Sequence, residues 1–103
     1  GGLTLRNVKI AVTEPAGGAV IFINVTSSGL LIDTCFFDGG MTNTGASISH
    51  TAYGLNYPDG STAKDINVLN STFCHFAYPQ LKSNTSTAVN SRILWQNCDF
   101  YEN

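Results

Sequence analysis

The stretches "INVLNSTF" (66–73) and "ILWQNCDF" (93–100) carry one pattern: apolar, gap, apolar, gap, Asn, small, gap, Phe. Two further stretches fit it. "LTLRNVKI" (3–10) has Asn7 in the Asn place, and "GLLIDTCF" (29–36) has Asp33 there. The anchors Asn7, Asp33, Asn70 and Asn97 fall 26, 37 and 27 residues apart. Recurrence at such a period is the signature of a chain that repeats one supersecondary unit.

Aligned on the anchors, the columns keep their character. Two residues before come Leu5, Leu31, Val68 and Trp95. Three residues after come Ile10, Phe36, Phe73 and Phe100. Four before come Leu3, Gly29, Ile66 and Ile93, with Gly29 the misfit. A second strand is expected midway through each repeat, at "AVIFINV" (19–25), "ASISHTA" (46–52) and "STAVNS" (86–91). A third short strand follows each anchor. Turn-rich stretches such as "TEPAGG", "DGGMTNTG" and "YPQLKSNTS" separate them. The long interval is read as an insertion loop over 51–62, with a Pro-Asp-Gly turn at 58–60.

Three short strands per repeat describe a coil whose laps bond to one another about 4.8 Å apart. Like residues then stack on like, and the apolar columns point into a thin core. Asn at the anchor tolerates the left-handed backbone of a sharp bend. Its amide can donate to one lap and accept from the other, so a buried Asn stack is expected, with Asp33 as its acceptor-only member. The fold expected is all-β: a single-stranded parallel β-helix. It has about 3.5–4 coils of roughly 26 residues and an Asn ladder. The coils run near 3–28, 29–65 (holding the 51–62 loop), 66–92 and 93–103.

The chain's 103 residues allow one domain. Charged residues are 12 %, about half the usual share. The five basic residues are scattered and net charge is −2, which argues against a nucleic-acid partner. No apolar run is long enough to span a membrane. Cys35, Cys74 and Cys98 lack CxxC spacing, so no zinc site is expected from their pattern. They read as small apolar thiols, though one disulfide stays open. No metal and no cofactor is expected.

These stretches, with their Asn and Phe columns, resemble the right-handed parallel β-helix superfamily, the pectate-lyase-like fold. The resemblance covers the whole chain. It implies an extracellular, cell-surface or virion-surface setting. Members include pectin-degrading enzymes, phage tailspikes and bacterial surface proteins, and tailspikes are commonly trimers. The catalytic motifs of the polygalacturonase and pectate-lyase branches are not found here. Gly1-Gly2 at the start, and coil ends that need covering, read as part of a longer parent chain with flanking coils or as a homo-oligomer.

The resemblance and the loop composition together point to polysaccharide. Tyr53, Asn56, Tyr57 and Asp59 cluster within seven residues. Tyrosine faces stack on sugar rings, and amides and carboxylates bond their hydroxyls. The alternative is a decorated loop that packs back on the coil. For catalysis the candidates are Asp38 and Asp59, as the carboxylate pair glycoside hydrolysis requires, and His50 as a base. His75 is a candidate of the same kind. No nucleophile–base–orienter set assembles around either histidine, and Asp38 beside Gly39-Gly40 also reads as a turn residue. The expectation is therefore a carbohydrate-engaging segment rather than an enzyme. A purely structural spacer is the alternative. A fragment of a polysaccharide lyase or glycoside hydrolase comes third.

Overall fold

The computed structural model describes residues 2–12, 18–41, 50–82 and 87–101. Its elements are β1 (Thr4–Arg6), β2 (Lys9–Ala11), β3 (Gly18–Asn24), β4 (Leu31–Asp33), β5 (Phe36–Asp38), β6 (His50–Asn56), β7 (Lys64–Leu69), β8 (Thr72–Cys74), β9 (Tyr78–Leu81), β10 (Ser91–Gln96) and β11 (Asp99–Tyr101). No helix occurs among the described residues.

The strands form three sheets. The first is ordered β1-β4-β7-β10, the second β2-β5-β8-β11 and the third β3-β6-β9. Every pairing is parallel. Each strand therefore bonds to the strand three places on, and the chain visits all three sheets before returning to the first. All-β architecture with parallel sheets is as expected from the sequence.

The register corrects the column alignment by one residue in the second lap. Leu5, Ile32 and Val68 are partners, as are Arg6, Asp33 and Leu69. That places Thr34, not Asp33, with Asn7, Asn70 and Asn97. The backbone agrees, since Asn7, Thr34, Asn70 and Asn97 have φ of 55°, 55°, 52° and 53°. Side-chain chemistry favours Asp33, but the bend is defined by conformation, and Thr34 adopts it. A one-residue slip exchanges the two faces of a strand. Ile32 and Phe37 are accordingly buried, in the places that the sequence columns give to Leu31 and Phe36. The Gly29 misfit disappears, because buried Leu30 holds that column.

The anchor side chains are not buried as expected. Asn7, Thr34, Asn70 and Asn97 are all exposed, because the left-handed bend turns them outward. They bond along the axis even so. Asn97 Nδ2 donates to Asn70 Oδ1 at 3.3 Å, and Asn70 Nδ2 to Asp33 Oδ1 at 3.1 Å. Thr34 Oγ1 donates to the same Asp33 oxygen at 3.0 Å. A second such bond, unforeseen in the sequence, runs from Asn56 Nδ2 to Asn24 Oδ1 at 2.9 Å.

The insertion loop expected at 51–62 is not a single loop. Residues 50–56 are strand β6, flanked by β3 and β9. The extra length divides between the connections before and after β6. Only the 58–60 turn stands as read: Gly60 has φ of 79°, and Ser61 N donates to Pro58 O at 3.1 Å. The midway strand of the third lap is "YPQL" (78–81), not "STAVNS", of which the described residues 87–90 are not strand. Pro79 suggests a turn, but β9 is an edge strand, where proline is tolerated.

The core is a stack of aromatic and branched residues: Leu30, Ile32, Phe37, Ile66, Val68, Phe73 and Phe76. The Phe73 ring lies 5.0 Å from Phe37 and 5.1 Å from Trp95, in edge-to-face contact with both, a favoured aromatic geometry. Gly54 lets this stack close. A Cβ there would meet Pro79 O at 2.3 Å and the Phe73 ring at 3.1 Å. Asp65 and Arg92, in neighbouring laps, both have left-handed backbones, with φ of 58° and 55°. A two-pronged ion pair clasps them, from Nε to Oδ1 and from Nη2 to Oδ2, the latter at 2.9 Å.

Candidate functional site

Parallel laps determine which side chains meet: residues a full lap apart, not residues close in sequence. The tyrosines illustrate this. Tyr53 and Tyr78 are Cα partners on β6 and β9. Their rings stack, with centroids 6.2 Å apart and planes 6° from parallel. Tyr78 is 55 % exposed, and Tyr53 is half-buried beneath it. Because β9 is the edge of its sheet, no further described strand covers the far face of Tyr78. Sequence reasoning misses Tyr78. It stands in a stretch that reads as turn, and its partnership with Tyr53 depends on register.

The other expected sugar contacts disperse. Tyr57 is buried; its hydroxyl donates to Gln80 Oε1 at 2.7 Å, and burial pushes its pKa up to about 12. Its ring faces protein, not solvent. The Asn56 amide is held by Asn24. Asp59 is exposed and accepts the Thr87 N–H at 3.2 Å, tying one connection to the next. Of the four candidates, Tyr53 alone belongs to an aromatic surface. Trp95, which the sequence assigns to the core column, packs against the core, and its indole N–H donates to Gln80 Oε1 at 3.1 Å.

The two carboxylates of the expected pair each bond a neighbouring lap. Asp38 ends β5 and bonds Gly40 and His75; Asp59 sits in the turn after β6 and bonds Thr87. His50 begins β6, and its side chain lies outside the described residues.

Asp38 meets two residues of the next lap. Cys74 is its Cα partner on β8. His75 follows at a bend with φ of 57° and brings Nδ1 to 2.8 Å from Asp38 Oδ1. Donor atoms of Asp38, Cys74 and His75 all lie within 4.8 Å of one another. Asp38 Oδ1 also accepts the Gly40 N–H at 2.8 Å, the turn role read for it. In the sequence columns, the one-residue slip hides the Asp38–Cys74 partnership. Cys35, Cys74 and Cys98 form no disulfide with one another.

No family model, curated protein or solved structure matches the chain.

Proposed function

We propose that this chain is a segment of a right-handed parallel β-helix that engages a polysaccharide on the outer face of its third sheet. Recurrence of every third strand in the same parallel sheet supports the helix. Right-handedness follows from the near-universal hand of parallel crossover connections. The bonds from Asn97 through Asn70 to Asp33 support reading the anchors as an Asn ladder.

The observation that carries the carbohydrate reading is the Tyr53–Tyr78 stack, with the open ring of Tyr78 at a sheet edge. A sugar ring laid on Tyr78 would present its apolar face to the phenol and its hydroxyls to solvent. The setting is a cell or virion surface. Asp38 and Asp59 each bond the protein's own neighbouring laps, and the function proposed is binding of the glycan rather than its cleavage.

Glycan-array binding by the full chain tests this. Tyr78→Ala is expected to lower binding at least tenfold, and Tyr53→Ala to lower it less by removing the support beneath. Binding unchanged in Tyr78→Ala would overturn the site. A structural spacer without ligand is the second reading. It is favoured by the fates of Tyr57, Asn56 and Asp59, all of which bond to the protein's own laps. Absence of binding across the array would select it.

A further inference from the structure

We propose that Asp38, Cys74 and His75 form a site for a divalent metal ion of the zinc type. Asp38 and Cys74 are cross-strand partners in adjacent laps, so their side chains leave the same face of the second sheet. The left-handed bend at His75 turns its ring back to the Asp38 carboxylate. Backbone bonds hold the two ligand-bearing turns together: Gly39 N donates to Cys74 O at 2.9 Å, and Met41 N to His75 O at 3.1 Å. The close approach there is tight, since a Cβ on Gly39 would meet His75 O at 2.4 Å. The site is thus built into the lap stacking rather than carried on loose surface side chains.

The donor set selects the ion. Thiolate and imidazole beside a carboxylate suit Zn²⁺ or Co²⁺ and disfavour Mg²⁺ and Ca²⁺, which take oxygen ligands. Bonds of about 2.0–2.3 Å in a tetrahedron place donors roughly 3.3–3.8 Å apart. The three donors lie within 4.8 Å, so a small contraction brings them into range. The Gly40 N–H bond on Oδ1 orients the Asp38 carboxylate, and the His75 Nδ1 contact with that oxygen gives way when the imidazole nitrogen takes the metal. Cys74 Sγ lies 3.7 Å from Phe37 O, a long contact that a metal bond readily replaces. Cys74 is buried while Asp38 and His75 are half-buried, so an ion enters past the carboxylate and imidazole. Binding releases the Cys74 thiol proton, and any second proton on His75, to solvent. Among the described residues three ligands gather, one short of the tetrahedral set.

Titration of the reduced full chain with Co²⁺ alone, followed by Zn²⁺, tests the site. The expected result is one Co²⁺ per chain with a thiolate-to-cobalt charge-transfer band, which Zn²⁺ removes by displacement. Cys74→Ser abolishes the band, whereas Cys98→Ser retains it. His75→Ala, at a half-buried position, lowers Co²⁺ affinity at least tenfold, and this readout stands if Cys74→Ser fails to fold. No band in the native chain, a band that survives Cys74→Ser, or unchanged affinity in His75→Ala would each overturn the assignment.

Discussion

The middle laps and the end laps are built from the same columns, yet they are buried very differently. Phe37 and Phe73 are 0 % exposed; Ile10 and Phe100, which extend that column at either end, are 38 % and 49 % exposed. Leu30 and Ile66 are buried, and their neighbours Leu3 and Ile93 are exposed. Side-chain type is nearly constant along each column, so it cannot explain the difference. What differs is whether a lap lies on both sides. In this architecture hydrophobic burial is a property of the stack, and each lap depends on its neighbours for its core.

The contrast between laps is most sharply tested at the Phe column. Phe73→Ala is expected to cost about 3–5 kcal/mol, the range for emptying a sealed aromatic site. Phe100→Ala is expected to cost less than about 1.5 kcal/mol, because its site is already open to solvent. Denaturant unfolding measures both. Equal costs would show that the end lap is as well packed as the middle.

Glycine substitutions probe the same contrast with a smaller effect. In Gly54→Ala the new methyl must displace the Pro79 carbonyl or the Phe73 ring, and a cost of about 1–3 kcal/mol is expected. Gly60, at a turn tip, has nothing within 4 Å of the point where a Cβ would stand. Only its left-handed backbone resists alanine, at about 1 kcal/mol. If Gly60→Ala proves the costlier change, packing between laps is not the dominant constraint.

The smallest effect concerns Asp33. The Asn70 amide chiefly, with help from the Thr34 hydroxyl and Arg6, holds its carboxyl below the ordinary 3.8. A pKa lowered by folding contributes stability above the unfolded value, and that contribution is lost as pH falls through the folded one. Asparagine at this position can still accept from Asn70 but does not titrate. Asp33→Asn should therefore match the native Tm near pH 7 and exceed it progressively as pH falls below the ordinary 3.8. Parallel melts across that range check the sign; a Tm gap independent of pH would detach Asp33 from the ladder.

Much of the stack is legible in the sequence. Asn7, Asn70 and Asn97 mark real left-handed bends, and Ile66, Val68 and Phe73 mark the core, because periodic alternation reports directly on which face is inside. The misreadings share one cause, which is that local chemistry is a poor guide to position between laps. Asp33 resembles asparagine more than Thr34 does, yet Thr34 has the bend conformation. Tyr57 is closer to Tyr53 in sequence, while the fold joins Tyr53 to Tyr78. Pro79 signals a turn, since nothing local reveals that its strand lies at a sheet edge. Asp38 and Cys74, separated by one long lap, offer no motif spacing at all.

The order of residues alone settles the lap, with its strand alternation, its bends and its inward columns, because these rest on local sterics and on the contrast between apolar and polar side chains. The register between laps belongs to the packed molecule. So do its consequences: the Tyr53–Tyr78 stack, the Asp38–Cys74–His75 cluster and the exposure of the end columns. Contacts in stacked parallel sheets join residues a whole lap apart. One residue more or less in an intervening connection changes every such pairing while leaving the local pattern intact.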